Sequence, residues 1–132
     1  MKTLVIAMSL ALTLAAHAQA AVRHFVAFRY KSGVTTAQRA DVRRRFLELQ
    51  RSVREPSGQP YILSIEAGDA TSPEGQDQGM TDGYLVTFKD AADRDYYVGR
   101  PKFAPFDPAH DAFKSFVGPL LDGVFVFDYE VK

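Results

Sequence analysis

One stretch decides the fold of this chain: Val22-Arg23-His24-Phe25-Val26-Ala27-Phe28-Arg29-Tyr30. Side chains alternate between the two faces of a β-strand, and both faces are apolar in the middle of this stretch. Such a pattern is typical of a strand that is covered on both sides. His24 is the only polar residue among the central positions. The rest of the chain must therefore cover both faces of this strand, and the role of His24 in it has to be explained.

The composition is that of one ordinary globular domain. The 132 residues include 16 basic and 16 acidic side chains, which gives a formal net charge of zero. A neutral chain has no long-range attraction for nucleic acid or for an anionic membrane, so neither partner is expected. The chain contains no cysteine, which excludes disulfides, thiol catalysis and cysteine-ligated metals.

The first twenty residues resemble an export signal rather than part of the fold. One positive residue precedes an apolar run, Leu4–Ala16, which is too short for a comfortable membrane span. Small residues then permit cleavage after Ala18 or after Ala20, and the second site is preferred because the first strand follows it directly. The sequence therefore predicts a signal peptide over residues 1–20, a single domain over 21–132, and a bacterial periplasmic or secreted protein.

Caps, breakers and periodic apolar residues predict the remaining elements. Thr35 and Gln38 fit a capping box at the start of a helix. The apolar stripe predicted for this helix consists of Val42, Phe46, Leu49 and Val53. Asp90 precedes a second helical segment, and Asp107 followed by Pro108 opens a third. Strands are predicted at 22–30, 61–66, 83–88 and 124–131.

The order of these elements, β-α-β-β-α-β, predicts an α+β fold. Right-handed crossovers place both helical regions on the same face of a four-stranded antiparallel sheet, which is a ferredoxin-like sandwich. The segment Gly68–Asp82 between the second and third strands is long, polar and rich in glycine. Loops of this kind are lids, contact segments or mobile connections, and the sequence leaves these alternatives open.

The helices are sufficient to cover only one face of this sheet. All four predicted strands carry large apolar residues on both faces, so the second face would expose more apolar surface than a soluble monomer tolerates. Packing two sheets face to face removes that surface from water. The sequence therefore predicts a homodimer with a barrel-like centre, a dimeric α+β barrel.

Three segments of the chain resemble one known family. Val22–Phe28 resembles the opening strand of the stress-responsive A/B barrel (Dabb) family, Asp107–Phe113 its motif before the last helix, and Pro119–Tyr129 its closing segment. The resemblance covers Val22–Val131. It implies a dimeric α+β barrel, and it implies little about activity because most members have no assigned reaction. Plant stress proteins and a plant polyketide cyclase share the fold.

The cyclase branch implies candidate catalytic residues. There a histidine and a nearby tyrosine carry out acid–base chemistry without a cofactor. By position the histidine is His110 and the tyrosine is Tyr96 or, less readily, Tyr97, while the histidine of the first strand corresponds to His24. The chain departs from many members at Asp107, where they carry another histidine.

The residue types themselves allow a second interpretation of each candidate. His110 lies near the start of a helix, where the positive end of the dipole favours a neutral imidazole. Such a histidine could remove a proton, or it could be a hydrogen-bonded structural residue. His24 could line a pocket or bind a backbone carbonyl. Asp107, His110 and Asp111 are close in sequence, but one helical turn does not aim all three at one ion, so no metal site is predicted.

Three functional hypotheses follow. The leading one is an exported dimeric barrel that binds a small apolar or aromatic ligand or serves a stress-related role. The alternative is a cofactor-free acid–base enzyme, a cyclase or isomerase, in which His110 and Tyr96 act and His24 orients the substrate. The third is a haem-handling or monooxygenase relative on the same dimeric fold. The sequence has no phosphate-binding glycine loop, nucleophile elbow or dinucleotide fingerprint.

Overall fold

A computed structural model describes residues 20–132. The predicted signal peptide lies outside the described residues except for its last position. The strands are β1 (Val22–Tyr30), β2 (Val53–Arg54), β3 (Gln59–Pro60), β4 (Ile62–Asp69), β5 (Asp82–Phe88) and β6 (Leu121–Glu130). The helices are α1 (Thr36–Glu48), α2 (Ala91–Val98) and α3 (Pro108–Val117), with 3₁₀ turns at Leu49–Arg51 and Gly118–Leu120. Within residues 20–132, no helix has both the length and the apolar character needed to cross a bilayer.

The sheet confirms the predicted four-stranded antiparallel arrangement. Its strand order is β4-β5-β1-β6, so β1 lies inside the sheet and pairs with a neighbour on each side. His24 is opposite Val86 on β5 and opposite Asp128 on β6. Strands β2 and β3 form a separate small hairpin. The predicted order of helices and strands is therefore correct, with this hairpin as an addition.

The end of α1 differs from the prediction. The helix stops at Glu48, the chain passes through a 3₁₀ turn, and Val53 pairs with Pro60 in the hairpin. Val53 is therefore exposed and does not extend the apolar stripe. Cross-strand pairing outweighs the helical periodicity at this point, because the turn after Arg54 brings Gln59 and Pro60 back alongside Val53 and Arg54.

The core lies between the helices and the face of the sheet that carries His24. Phe46 of α1 stacks on Tyr84 of β5 with 3.9 Å between ring centroids, and both residues are fully buried. Phe113 of α3 packs edge-on against Phe46, with 5.2 Å between centroids. Thr35 and Gln38 form the predicted capping box of α1. The helical stripe and the strand alternation thus meet as the sequence predicts.

No helix covers the opposite face of the sheet within the described part of the chain. Phe25 of β1 lies edge-on to Phe125 of β6, and Phe127 of β6 is 57% exposed. On β4 the same face carries Ser64 and Glu66, because these residues pair with the open-face positions of β5. The apolar surface of this face therefore lies mainly on β1, β5 and β6, and the exposed apolar residue of β4 is Leu63, at the irregularity in its pairing.

The long connection between β4 and β5 is tied to the sheet. Thr81 N–H donates to the carbonyl of Phe28 at 2.9 Å, and Ala70 N–H donates to the carbonyl of Thr81 at 2.9 Å. Arg29 reaches across this end of the sheet, donating from Nη1 to the carbonyl of Gln78 at 2.8 Å. Its Nε also donates to Asp122 at 2.7 Å. These bonds favour the interpretation as a contact segment over that of a free loop.

Candidate functional site

A cavity of about 580 Å³ lies between the helix side of β1 and β6 and the segment that joins α2 to α3. Both histidines of the predicted domain line it. A second cavity, of about 650 Å³, lies on the open face beneath the connection between β4 and β5. No histidine lines that one. The first cavity is therefore the better candidate site, since imidazoles are the side chains that exchange protons near neutral pH.

His24 is held by a carboxylate that sequence analysis did not identify. Its Nδ1 lies 2.6 Å from Oδ1 of Asp128, the residue directly opposite on β6. A carboxylate accepts hydrogen bonds only, so Nδ1 carries the proton and Nε2 of the neutral ring is an acceptor. Arg94 Nη1 donates to the other oxygen of Asp128 at 2.8 Å. Burial lowers the pKa of His24, and the charge and hydrogen bond of Asp128 oppose that effect.

His110 is held by the backbone of α2. Its Nδ1 lies 2.5 Å from the carbonyl oxygen of Tyr97, and its ring stacks on the Tyr97 ring with 3.7 Å between centroids. Because a carbonyl only accepts, Nδ1 again carries the proton and Nε2 is the acceptor. Burial lowers the pKa of His110 to about 4, with a smaller contribution from the positive charge of Lys114. The imidazole is therefore neutral at pH 7, as expected, and burial is the main cause.

Tyr97 rather than Tyr96 is the tyrosine of this cavity. Its ring contacts His110 face to face and lies edge-on to His24, 5.5 Å between centroids. Tyr96 does not line the cavity, and its ring packs edge-on against Tyr61, 5.2 Å between centroids. The expectation that Tyr96 borders the site beside His110 is therefore not met. Consecutive residues of a helix point about 100° apart, so only one of the two tyrosines can face the cavity.

The hydroxyl of Tyr97 is buried, and nothing within residues 20–132 hydrogen-bonds to it. Burial raises the pKa of Tyr97, and the charge of Asp107 adds to the effect. This hydroxyl is therefore protonated throughout the physiological range. Tyr97 contacts both histidines through its aromatic ring, which forms an apolar part of the cavity wall.

Asp107 is a helix cap, although the resemblance predicts a histidine at its position. Its Oδ1 accepts from the backbone N–H groups of Ala109 at 2.8 Å and His110 at 3.4 Å. Tyr61 donates its hydroxyl to the other oxygen. Asp111, the next acid, forms an ion pair with Arg100. In the described residues no group of three or more His, Cys, Asp or Glu side chains is placed to hold a metal ion.

Lys114 is the lysine of the cavity wall nearest to the end of α2. Its Nζ donates to the carbonyls of Val98 and Arg100, each at 3.0 Å, at the point where α2 ends. Its charge lies close enough to contribute to the lowered pKa of His110. The rest of the wall is mainly apolar and includes Phe113 and Val126. The arrangement is a mainly apolar cavity lined by two neutral imidazoles, each with a free acceptor nitrogen, and by the cation of Lys114.

The sequence contained a signal for Asp128 that only the register makes useful. Asp128 is the one charged residue among the apolar positions Val124–Tyr129, which is unusual for a strand whose neighbours are aromatic or branched. Its relation to His24 follows from the pairing of β1 with β6 across 104 positions. Arg94 carried no such signal, because it lies in a helix with many charges.

Several solved structures share this architecture. A crystal structure of an Arabidopsis thaliana protein is 24% identical, covers 84% of this chain and 95% of its own, and has a TM-score of 0.69. Hydroxynitrile lyase from Passiflora edulis is 24% identical over 86% of this chain and 94% of its own, with a TM-score of 0.67. A dimeric protein of unknown function from Bacteroides fragilis is 21% identical over 87% of this chain and 100% of its own, with a TM-score of 0.59. The last has a ferredoxin-like fold, which confirms the predicted fold class.

No curated protein matches this chain. A family model described as "Stress responsive A/B Barrel Domain" matches residues 22–131, which is nearly the whole of the described part. The match begins at the first residue of β1 and ends just after β6, so it spans every element of the fold. The chain belongs to the stress-responsive A/B barrel (Dabb) domain family, as the three segments of sequence predicted.

Proposed function

We propose that the cavity binds a small, largely apolar molecule that carries a hydroxyl group. One observation carries this proposal: His24 and His110 both use their Nδ1–H on the protein, so each has only its Nε2 acceptor left for a ligand. A volume of about 580 Å³ is within the ordinary range of small-molecule sites. The apolar walls favour an aromatic or aliphatic body, and the two imidazoles favour a donor on it.

The energetics favour a ligand with a donor over one without. A ligand that fills the chamber and offers no donor removes water from both Nε2 atoms and replaces it with nothing. Leaving a buried acceptor unsatisfied costs about 1–3 kcal/mol, whereas a satisfied hydrogen bond contributes about 0.5–1.5 kcal/mol. The site should therefore distinguish a hydroxylated ligand from its hydrocarbon analogue more sharply than it distinguishes two hydrocarbons of similar size.

A pair of probe molecules tests this directly. The chain has no tryptophan, so the fluorescence of 2-naphthol can be followed without protein emission at the same wavelengths. We expect 2-naphthol to bind about 3- to 10-fold more tightly than naphthalene, which has the same ring system without the hydroxyl. His110→Phe, which keeps a ring to stack on Tyr97, should reduce that preference. Equal affinity for the two probes in the unaltered protein contradicts the proposal.

A second candidate function is cofactor-free proton transfer, and the pairing of His24 with Asp128 favours it. The carboxylate opposes the effect of burial on the pKa of His24, whereas burial lowers the pKa of His110 to about 4. His24 is the proposed base, because a carboxylate lies against its Nδ1, and His110 would orient the substrate. This reverses the roles that the resemblance implied for the two histidines. The hydroxynitrile lyase from Passiflora edulis is an example of a lyase on this fold.

Cyanide release from an aromatic hydroxynitrile tests the lyase form of this candidate. Asp128→Asn keeps the shape of the side chain and removes the charge that supports the basicity of His24. The rate should fall by about 10- to 100-fold in Asp128→Asn, within the range by which positioned general bases accelerate reactions. Absence of cyanide release by the unaltered protein contradicts the lyase form, and ligand binding then remains as the function.

A second copy of this chain is the proposed partner of the open sheet face. Exposed aromatic residues on β6, among them Phe125 and Phe127, form an apolar surface beside Phe25. Solved neighbours from Bacteroides fragilis, Thermobifida fusca and Jannaschia are described as dimeric. Face-to-face packing of two sheets covers this surface in both copies. Sedimentation of the purified domain checks the stoichiometry, and a stable single subunit at micromolar concentration contradicts it.

Export to the bacterial periplasm or beyond is proposed from residues 1–20. The support is the apolar run and the small residues that follow it. The N-terminal sequence of the protein recovered from a periplasmic fraction should begin at Ala21. Retention of Met1 in a cytoplasmic fraction contradicts export. A stress-related role for the exported protein then depends on the identity of its ligand.

A further inference from the structure

One buried pair of residues, Tyr61 and Asp107, lies near the cavity but does not line it. Tyr61 precedes β4 and Asp107 precedes α3, and both are almost completely buried. The hydroxyl of Tyr61 donates to Oδ2 of Asp107. The two residues are 46 positions apart, so this single hydrogen bond joins the sheet layer to the start of the helix that carries His110.

Both oxygens of the Asp107 carboxylate are committed. Oδ1 caps α3 by accepting from the backbone N–H groups of Ala109 and His110, and Oδ2 accepts from Tyr61. A cap alone leaves a carboxylate free to exchange its two oxygens and to shift its rotamer. The bond to Tyr61 removes that freedom, because any rotation that keeps the cap breaks the second bond.

Asp107 is in turn one of the groups that determine the position of His110. Its backbone N–H donates to the carbonyl of Tyr96 at 3.0 Å, while the carbonyl of the next residue, Tyr97, accepts from the ring of His110. The last turn of α2 therefore holds both the start of α3 and the imidazole itself. The ring of Tyr97 packs on Phe88 and His24 of the sheet, and Tyr61 adds a hydrogen bond that holds the start of α3.

We propose that Tyr61 is a positioning residue for His110: its hydrogen bond to Asp107 sets where the Nε2 atom of His110 stands in the cavity. Tyr61 is not among the residues that line the cavity, so it acts through Asp107 and not on the ligand. The consequence for ligand selection rests on the proposed function, since only a correctly placed Nε2 can accept from a hydroxyl. The effect on the imidazole itself does not depend on any ligand.

Tyr61→Phe removes one oxygen atom and keeps the aromatic packing against Tyr96. Two measurements follow the variant: the affinity ratio for 2-naphthol over naphthalene, and the titration of the His110 ring by NMR. We expect the ratio to fall about 3-fold or more. We also expect the pKa of His110 to rise from about 4, because the Asp107 charge loses a donor and the ring gains access to water. The pKa of His24 should stay unchanged.

To attribute a changed His110 titration to Asp107, the other charged and titratable groups around His110 must be unaffected by Tyr61→Phe. They are Lys114 and Asp111 on its own helix, His24 on β1, and Tyr97 on α2, whose ring stacks on the imidazole and whose carbonyl accepts its proton. Neither Lys114 nor His24 contacts Tyr61. A shift in the His110 titration that appears in Tyr61→Phe is therefore transmitted by Asp107.

Two further variants separate positioning from stability. Tyr84→Phe removes another buried tyrosine hydroxyl, one with no hydrogen-bond partner among the described residues and outside this cavity, so it should change neither readout. Asp107→Ser keeps a good helix cap and cannot reach Tyr61. It should lower the probe ratio as Tyr61→Phe does, and the double variant should have a ratio no lower than Asp107→Ser alone, because both changes remove the same bond. Asp107→Ser should not raise the pKa of His110, because it also removes the Asp107 charge that raises this pKa.

A Tyr61→Phe protein that melts at a lower temperature but keeps the probe ratio and the pKa of His110 overturns the proposal, and so do additive effects in the double variant. If Tyr61→Phe does not fold, the probe ratio in Asp107→Ser decides: a lowered ratio supports the positioning, and an unchanged ratio overturns it. If the unaltered protein binds both probes equally, the proposed function fails, and the NMR titration alone then supports or overturns the positioning by Tyr61.

Discussion

The two faces of the sheet carry similar residues, but one face is mostly packed against helices and the other is exposed. On the face towards the helices, the side chains of β1 and β5 are packed: Phe46 stacks on Tyr84, and His24 binds Asp128. Only β6 is partly open on this face, where Val124 and Val126 line the cavity and are about half exposed. On the open face, β6 leaves Phe127 more than half exposed, although it carries as large an apolar side chain as the covered positions do. The difference lies in the surroundings and not in the residue types.

This contrast separates stability from assembly. Changes on the covered face should be felt by a single subunit, since its contacts lie within one chain. Changes on the open face should act mainly on pairing between copies, because that face has few contacts to lose. The polar groups follow the same division: the candidate site belongs to the covered face, where burial determines which tautomer and which charge state each histidine adopts.

Phe46→Ala gives the largest expected effect. It removes a fully buried ring from between Tyr84 and Phe113, and a Phe→Ala change in a packed core costs about 3–5 kcal/mol. Urea unfolding of the domain measures it. Phe127→Ala is the control, with an expected loss below about 1 kcal/mol for the single subunit. Equal losses would mean that the open face contributes to the subunit core and that the contrast is false.

His110, which is partly buried, gives a pH dependence of the free energy of unfolding. The pKa of His110 is about 4 when folded and 6.5 when unfolded, so the unfolded chain binds the proton more tightly. Stability is fully present above pH 6.5 and falls as the pH drops towards 4, by about 3 kcal/mol in all. Unfolding at a series of pH values should therefore show a shallower slope for His110→Phe. The same slope in both proteins contradicts a buried neutral imidazole.

Phe127→Glu should act on the open face alone. In a dimer that packs through this face, the new carboxylate would be buried between the two copies among aromatic side chains. Burying an unpaired charge in this way costs free energy. We expect dimer affinity to fall by about 100-fold, or about 3 kcal/mol, with little change in the unfolding of the single subunit. Sedimentation over a concentration series measures it, and Arg51→Glu on the exposed side of the helix layer is the matched control. A subunit that loses its own fold in Phe127→Glu would contradict the division between the faces.

Arg29→Ala gives the smallest expected effect and concerns the segment that borders the open face. The guanidinium ties the connection between β4 and β5 to β6 through Gln78 and Asp122. Its loss should make cleavage within residues 70–81 a few-fold faster in limited proteolysis, because the segment then opens more often. Lys31→Ala, two positions further on, keeps those bonds and should be cleaved at the original rate. Unchanged cleavage in Arg29→Ala would assign the ordering to the backbone bonds of Thr81 instead.

Sequence reasoning was most successful where the signal is local. The capping box of α1, the Asp107–Pro108 start of α3 and the alternating pattern of β1 each depend on residues within one element, and each is present as predicted. It was less successful at element ends, as with Val53, where a distant partner decides between helix and strand. The candidate site divides in the same way. His24 and His110 line one cavity, as the sequence predicts, whereas the tyrosine that lines it is Tyr97, the second choice, and not Tyr96.

The sequence by itself determined the order of the elements, the family and the presence of two histidines close to the core, because periodicity, caps and motifs are written within short stretches. Only the tertiary structure decided that Asp128 lies opposite His24, that Tyr97 faces the cavity and that Tyr61 reaches Asp107. Those relations depend on strand register and on the rotation of a helix about its axis. Both are settled by the packing of residues tens of positions apart, which leaves no mark on any single segment.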